Sequence, residues 1–373
     1  MFFKNCIEEF TAPKAKAVDS TVEEVETVTQ LPRELPFFGA SIDRATPVPQ
    51  NLSFPGMIVT SIDYDERPQT GRPKRITFSG STPGGSGDGA RIKAIFVKNV
   101  KNIGGDTYEG DQMSADEALA YFTEKHAGAT PLFFIHGYNN EPQDTLHAVN
   151  KAQAKMGVNH VIIPIIWPCH NSLAGELYHL DRGDNAPEAA EELALAFGAT
   201  LQTTSKFAKK NLLCHSMGNY ILRKAAGKIQ NLKFDNIFLV AADLRHNLFD
   251  EDFINRSSNP ANKEGLHILR LLKQKNGQPV GKIYVVHNWE DYALGFSTGI
   301  GGNWVNRMGQ AGVGTYDKWF GGWGDNVNLL HPEIRHHTEN FNAGARLNGV
   351  SDYKSHSYQW MDFMINYYKS KLG

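Results

Sequence analysis

The segment Leu212-Leu213-Cys214-His215-Ser216-Met217-Gly218-Asn219 sets a serine at the end of an apolar run and directly ahead of a helical stretch. A serine on such a turn is held in strained backbone geometry with its hydroxyl clear of the sheet. Small residues two before and two after it let strand and helix pass closely. Gly218 meets that need, and Cys214 stands where glycine is commoner, adding bulk while remaining small. The plain alternative for Ser216 is a helix N-cap, its hydroxyl bonding the free amides of the first turn.

A serine that attacks a carbonyl needs donors for the oxygen that becomes negative. Upstream, Phe133-Phe134-Ile135-His136-Gly137-Tyr138-Asn139-Asn140 follows a second apolar run and precedes a helix. The expected oxyanion donors are the backbone amides of Tyr138 and of Met217, the residue after the serine, each worth about 3 kcal/mol in the transition state. His136 reads as a buried brace of this loop, because a general base must approach the serine from the other side.

The hydroxyl also needs an imidazole to take its proton and a carboxylate to orient that imidazole, in the chain order serine, acid, histidine. Asn288-Trp289-Glu290-Asp291-Tyr292-Ala293-Leu294 follows the apolar run 282–287, and Asp291 is the first choice of acid. Asp243, after the run 236–242, is the alternative acid; either could instead cap the helix that follows. Among fourteen histidines, His356 in Ser355-His356-Ser357-Tyr358 has the right place, on a late loop just ahead of a terminal helix. His331, His336 and His337 share a stretch interrupted by Pro332 and lack HExxH spacing, so a polar loop and no metal are expected there. The chemistry requires no cofactor. The glycine-rich 79–89 lacks the Gly-Lys-Ser/Thr ending of a phosphate loop and reads as a flexible turn.

Alternating elements must position these groups. From residue 131 onward, apolar runs at 131–135, 160–167, 211–214, 236–242 and 282–287 alternate with helical patterns at 143–156, 186–208, 217–229 and 266–274, and the chain closes on a helix at 357–369. Such alternation builds a mainly parallel sheet covered by helices. Runs at 56–62 and 92–100 read as strands that open the sheet. Residues 1–52, mildly acidic and proline-bearing, read as a partly ordered N-terminal arm, leaving 53–373 as the domain. In an insert at about 299–345, the stretch 299–337 is rich in glycine and asparagine and is expected to be irregular; its Trp304, Trp319 and Trp323 are candidate walls of a substrate pocket.

Composition removes other classes. Lys and Arg total 38 against 40 Asp and Glu in 373 residues, so no positive field draws the chain to nucleic acid. Cys6, Cys169 and Cys214 are too few and scattered for a disulfide framework or a four-cysteine zinc site. There is no apolar stretch of about 18 residues to cross a bilayer and no signal-like start. A cytoplasmic protein follows as the expectation, with its oligomeric state open.

The motifs together carry a resemblance. Phe134 to Asn140, Ile166-Trp167-Pro168, Tyr178 and Asp181, His215 to Asn219, Asp243, Asp291 to Leu294 and His356-Ser357-Tyr358 occur in an order similar to that of the α/β-hydrolase superfamily, and within it a mostly bacterial family of unassigned substrate. The resemblance spans 131–358. It implies an eight-stranded, mainly parallel sheet and a triad of Ser216, Asp291 and His356, and it implies no substrate. Tyr178, one of its marks, joins the tryptophans as a candidate pocket residue. The expected reaction is cleavage of an ester or related acyl bond in a small molecule. Its rivals are acyl transfer by the same triad and a non-catalytic binding protein on this scaffold.

Overall fold

Successive strand residues point into two different apolar layers, and that alternation organises the computed structural model. It describes 56–60, 75–79, 93–104, 107–114, 128–140, 142–167, 178–179, 181–200, 209–230, 232–256, 258–300, 307–313, 329–347 and 355–373, with isolated residues 117, 120, 124 and 169. The arm 1–52, most of the glycine-rich turn, and Trp304, Trp319 and Trp323 lie outside the described residues.

The strands are β1 (Gly56–Thr60), β2 (Arg75–Ser79), β3 (Lys93–Gly104), β4 (Thr107–Met113), β5 (Thr130–Ile135), β6 (His160–Ile166), β7 (Asn211–His215) and β8 (Asn236–Val240). A two-stranded ribbon, β9 (Gln274–Lys275) and β10 (Gln278–Pro279), precedes β11 (Lys282–His287) and β12 (Thr338–Asn342). Among the described residues the main sheet has ten strands in the order β12-β11-β8-β7-β5-β6-β1-β3-β4-β2. The run from β12 to β1 is parallel, while β3, β4 and β2 close one edge antiparallel.

Ten strands replace the expected eight. β2 and β4 escape sequence reading because RITFS and TYEGDQM carry polar or charged residues among their apolar ones. β12, TENFN, is also missed by sequence reading; it begins just past the stretch 299–337 expected to be irregular. An edge strand needs no continuous apolar run, and this one is only partly buried. Pro332 likewise starts a short helix, Pro332–Arg335, with the His331 ring accepting from the Glu333 amide at 3.3 Å. Proline fits the first helical position because its missing N–H would be unpaired there anyway.

Phe133, Ile135, Leu212, Cys214, Ile237, Leu239, Ile283 and Val285 face one layer. Helices α2 (Ala186–Thr200), α3 (Gly218–Ala226) and α4 (Glu264–Arg270) cover it. The intervening Leu132, Phe134, Leu213, Phe238, Val240, Tyr284 and Val286 face the other. Helices α1 (Pro142–Met156) and α6 (Asp362–Leu372) cover that side, and α5 (Tyr292–Ile300) follows β11. Burial on both faces explains why the central strands read as continuous apolar runs.

From β5 the chain crosses to β6 on one side, and from β6 it crosses back to β7 on the other. The connections therefore diverge between β5 and β7. In open α/β sheets, ligands bind beyond the carboxyl ends of strands at such a divergence. The segments leaving those ends are His136 to Asn140 and Ser216-Met217.

Candidate active site

Ser216 follows β7 with φ of 52°, a left-handed conformation unfavourable for a residue with a side chain. Strain of this kind costs about 1–3 kcal/mol and persists only where neighbours enforce it. Here the Ser216 amide donates to the Val240 carbonyl at 3.0 Å, and the Ser216 carbonyl accepts from the Asn219 and Asp243 amides at 3.0 and 3.3 Å. The buried Asn219 adds a side-chain bridge, its Nδ2 lying 3.1, 3.0 and 3.2 Å from the carbonyls of Cys214, Ser216 and Val240. Asn219 stood in the sequence motif, but its bracing role becomes visible only once β7 and β8 are seen side by side.

Two glycines let the loops meet. A Cβ on Gly137 would fall 2.7 Å from the Ser216 Cβ, and one on Gly218 would fall 2.6 Å from the carbonyl oxygens of both Ile135 and His136. The loop that carries Tyr138 is thus pressed against the serine. His136 fixes that loop from below. The Trp167 amide donates to His136 Nε2 at 3.0 Å, His136 Nδ1 lies 2.7 Å from the Gly137 carbonyl, and the Trp167 indole donates to the His136 carbonyl at 2.9 Å. Both ring nitrogens are thereby occupied by backbone, in keeping with a brace. Burial holds its pKa down to about 4. Asn140 Nδ2 also donates to the Tyr138 carbonyl, at 2.8 Å. Among the described residues the Met217 amide donates to no protein acceptor.

Asp291, fully buried just beyond β11, accepts from His356 Nδ1 through both carboxylate oxygens, at 2.9 and 2.8 Å. A carboxylate only accepts, so Nδ1 carries a hydrogen and Nε2 is the ring nitrogen left to face a proton donor. Burial raises the Asp291 carboxyl above its ordinary value, and the His356 imidazole opposes that rise. The His356 segment lies beside the serine because His215, the residue before it, places Nε2 3.0 Å from the His356 carbonyl, with the two rings 4.9 Å apart.

Asp243 has a different set of partners. Its carboxylate pairs with Arg182, accepts from Tyr178 and Ser297, and lies 3.2 Å from Arg307 Nε. Burial alone would raise its pKa, yet Arg182 and Arg307 hold it down to about 2. Arg182, Ser297 and Arg307 have no motif that announces them. The Tyr178 hydroxyl is committed to this network, while its ring edge meets the Tyr138 ring at a centroid separation of 5.5 Å. Among the described residues no group of histidines, cysteines and carboxylates is arranged to hold a metal ion, and no helix is long and apolar enough to cross a membrane.

A mainly parallel sheet with a strained serine at its divergence point, flanked by a His-Gly loop and a paired histidine and aspartate, defines an α/β hydrolase. A family described as alpha/beta hydrolase of unknown function (DUF900) matches residues 111–318, more than half of the chain, and the chain belongs to that family. No curated protein matches the sequence. Among solved structures, the chain is similar to esterase B from Lactobacillus rhamnosis at 10% identity and a TM-score of 0.32, over 83% of this chain and 86% of that one. It is similar to the acylaminoacyl peptidase of Pyrococcus horikoshii at 11% identity and 0.31, over 84% and 56%. It is also similar to acetyl xylan esterase 1 from Thermoanaerobacterium sp. at 13% and 0.26, over 63% and 73%.

Proposed function

We propose that the protein is a serine hydrolase that cleaves an ester or related acyl bond of a small molecule through an acyl-enzyme. The observation that supports this reading is the His356 imidazole, held at Nδ1 by the buried Asp291, with the His356 carbonyl bonded by His215, the neighbour of the strained Ser216. His356 Nε2 takes the Ser216 proton as Oγ bonds to the carbonyl carbon, and the amides of Tyr138 and Met217 receive the oxyanion. The imidazolium then returns that proton to the leaving oxygen as the C–O bond breaks. Water attacks the acyl-enzyme by the same route, giving up a proton to His356, which passes it to Oγ as the acid departs. The net change is one acyl bond and one water converted to an acid and an alcohol.

The test is rapid mixing with a p-nitrophenyl ester. With deacylation the slower step, the reading gives a burst of about one nitrophenolate per chain, the mark of an accumulating acyl-enzyme. A Ser216→Ala protein that turns over the ester like the native one would overturn it.

A further inference from the structure

We propose that His215 and Asn288 form a two-point clamp on the peptide carbonyls of His356 and Ser355, and that this clamp positions the His356 imidazole over Ser216; the proposal rests on the reading of Ser216 as nucleophile. Both are positioning residues, acting through the segment that bears the base.

The need for such a clamp follows from where the base sits. His356 lies on an irregular stretch ahead of α6, and its bond to Asp291 constrains one edge of the ring. A ring held along one edge can still pivot about it as the backbone shifts. Two successive carbonyls of that backbone are caught. Asn288 Nδ2 donates to the Ser355 carbonyl at 2.7 Å, and His215 Nε2 lies 3.0 Å from the His356 carbonyl. A carbonyl only accepts, so the His215 hydrogen resides on Nε2.

Each clamp residue has a fixed orientation. Asn288 Oδ1 accepts from the Glu290 amide at 3.2 Å, which leaves its NH2 group facing Ser355. His215 and Leu213 are two residues apart on β7, so they share the sheet face that α6 covers. His215 is 4% and Asn288 1% exposed, so water offers little competition for either bond. Burial first, and then the neighbouring His356, push the His215 pKa down to about 3, so the ring stays neutral and keeps a single hydrogen to donate.

The two donors also come from the right places. His215 ends β7 and adjoins the nucleophile, while Asn288 follows β11, three residues before the acid. The clamp therefore refers the base to both of its partners at once. It catches backbone carbonyls, so it imposes no side-chain requirement on residue 355.

The experiment compares the native chain with His215→Leu, His215→Gln, Asn288→Ala and the Leu/Ala double variant. It measures the rate of fluorophosphonate labelling, kcat and KM for p-nitrophenyl acetate, and the thermal midpoint of each. A displacement of about 1 Å can cost a hundredfold. His215→Leu and Asn288→Ala should therefore each slow labelling by about 10- to 100-fold, lowering kcat with KM little changed. Glutamine can set its Nε2 near that of the imidazole, so His215→Gln should recover most of the lost rate, which a mere packing role would not allow. The double variant should lose less than the product of the single losses, because both residues hold one segment. Native-like labelling by His215→Leu or by Asn288→Ala overturns the clamp and leaves the nucleophile reading standing, as does a His215→Gln protein as slow as His215→Leu. Should His215→Leu fail to fold, Asn288→Ala and His215→Gln still decide. A native chain that never labels overturns both.

Discussion

His356 meets Asp291 through both carboxylate oxygens, at 2.9 and 2.8 Å, whereas Asp243 turns its carboxylate to two arginines. The two aspartates lie beyond adjacent strands, β11 and β8, and share the same depth of burial, so only their partners separate them. Different partners predict different failures.

Asp291→Asn should retain the fold and lose about 10⁴-fold in kcat, because an amide in place of the carboxylate favours the wrong imidazole tautomer. Asp243→Asn should instead lose about 3–5 kcal/mol of stability, since the buried Arg307 and the partly buried Arg182 are left without their counter-ion. Urea unfolding and ester turnover on the same two variants check this pair, and reversed effects would reassign the acid.

His136 predicts a proton linkage. Its pKa is about 4 in the fold and near 6.5 in an unfolded chain, so between those values unfolding takes up a proton and stability falls as pH falls. Above about 6.5 this loss vanishes. His136→Gln removes the titrating group and should flatten the stability curve between pH 4 and 6.5 by about 1.4 kcal/mol per unit relative to the native chain. Denaturant titrations at four or five pH values measure the difference, and equal slopes would refute it.

Gly218→Ala would place a methyl group 2.6 Å from two backbone carbonyl oxygens that cannot swing aside. The expected cost is about 1–3 kcal/mol. Esterase activity should fall as well, because the same carbonyls belong to the strand end and loop that lead to Tyr138. Unchanged activity in a folded variant would detach that loop from the site.

Asn219→Leu keeps the branched shape at somewhat greater bulk and removes the donor shared by three carbonyls. It should lower stability by about 1–3 kcal/mol, the cost of leaving buried acceptors short of a partner. Thermal unfolding reads the loss directly, and a native midpoint would mean that backbone bonds alone hold the turn.

The parts that sequence reading reached, and those it did not, divide along physical lines. Strands β5, β6, β7, β8 and β11 lie between two helical layers and so appear as unbroken apolar runs, which fixes their place in the chain to within two residues. Strands β2, β4 and β12 carry polar letters that resemble loops, and β12, at one edge of the sheet, is only partly buried. Ser216, His356 and the two candidate aspartates announce themselves because each follows a strand or precedes a helix. The choice between the aspartates depended on Arg182 and Arg307, which come from distant segments and share no spacing with Asp243. Likewise, nothing in the letters around His215 tells that its ring reaches a carbonyl 141 residues away.

The most direct measurement is mass-spectrometric mapping of the adduct formed when the native chain reacts with a fluorophosphonate. The account predicts a single phosphonylated residue, Ser216, with the adduct lost in Ser216→Ala and strongly suppressed in His356→Ala. An adduct on any other residue, or labelling that survives in Ser216→Ala, would contradict it.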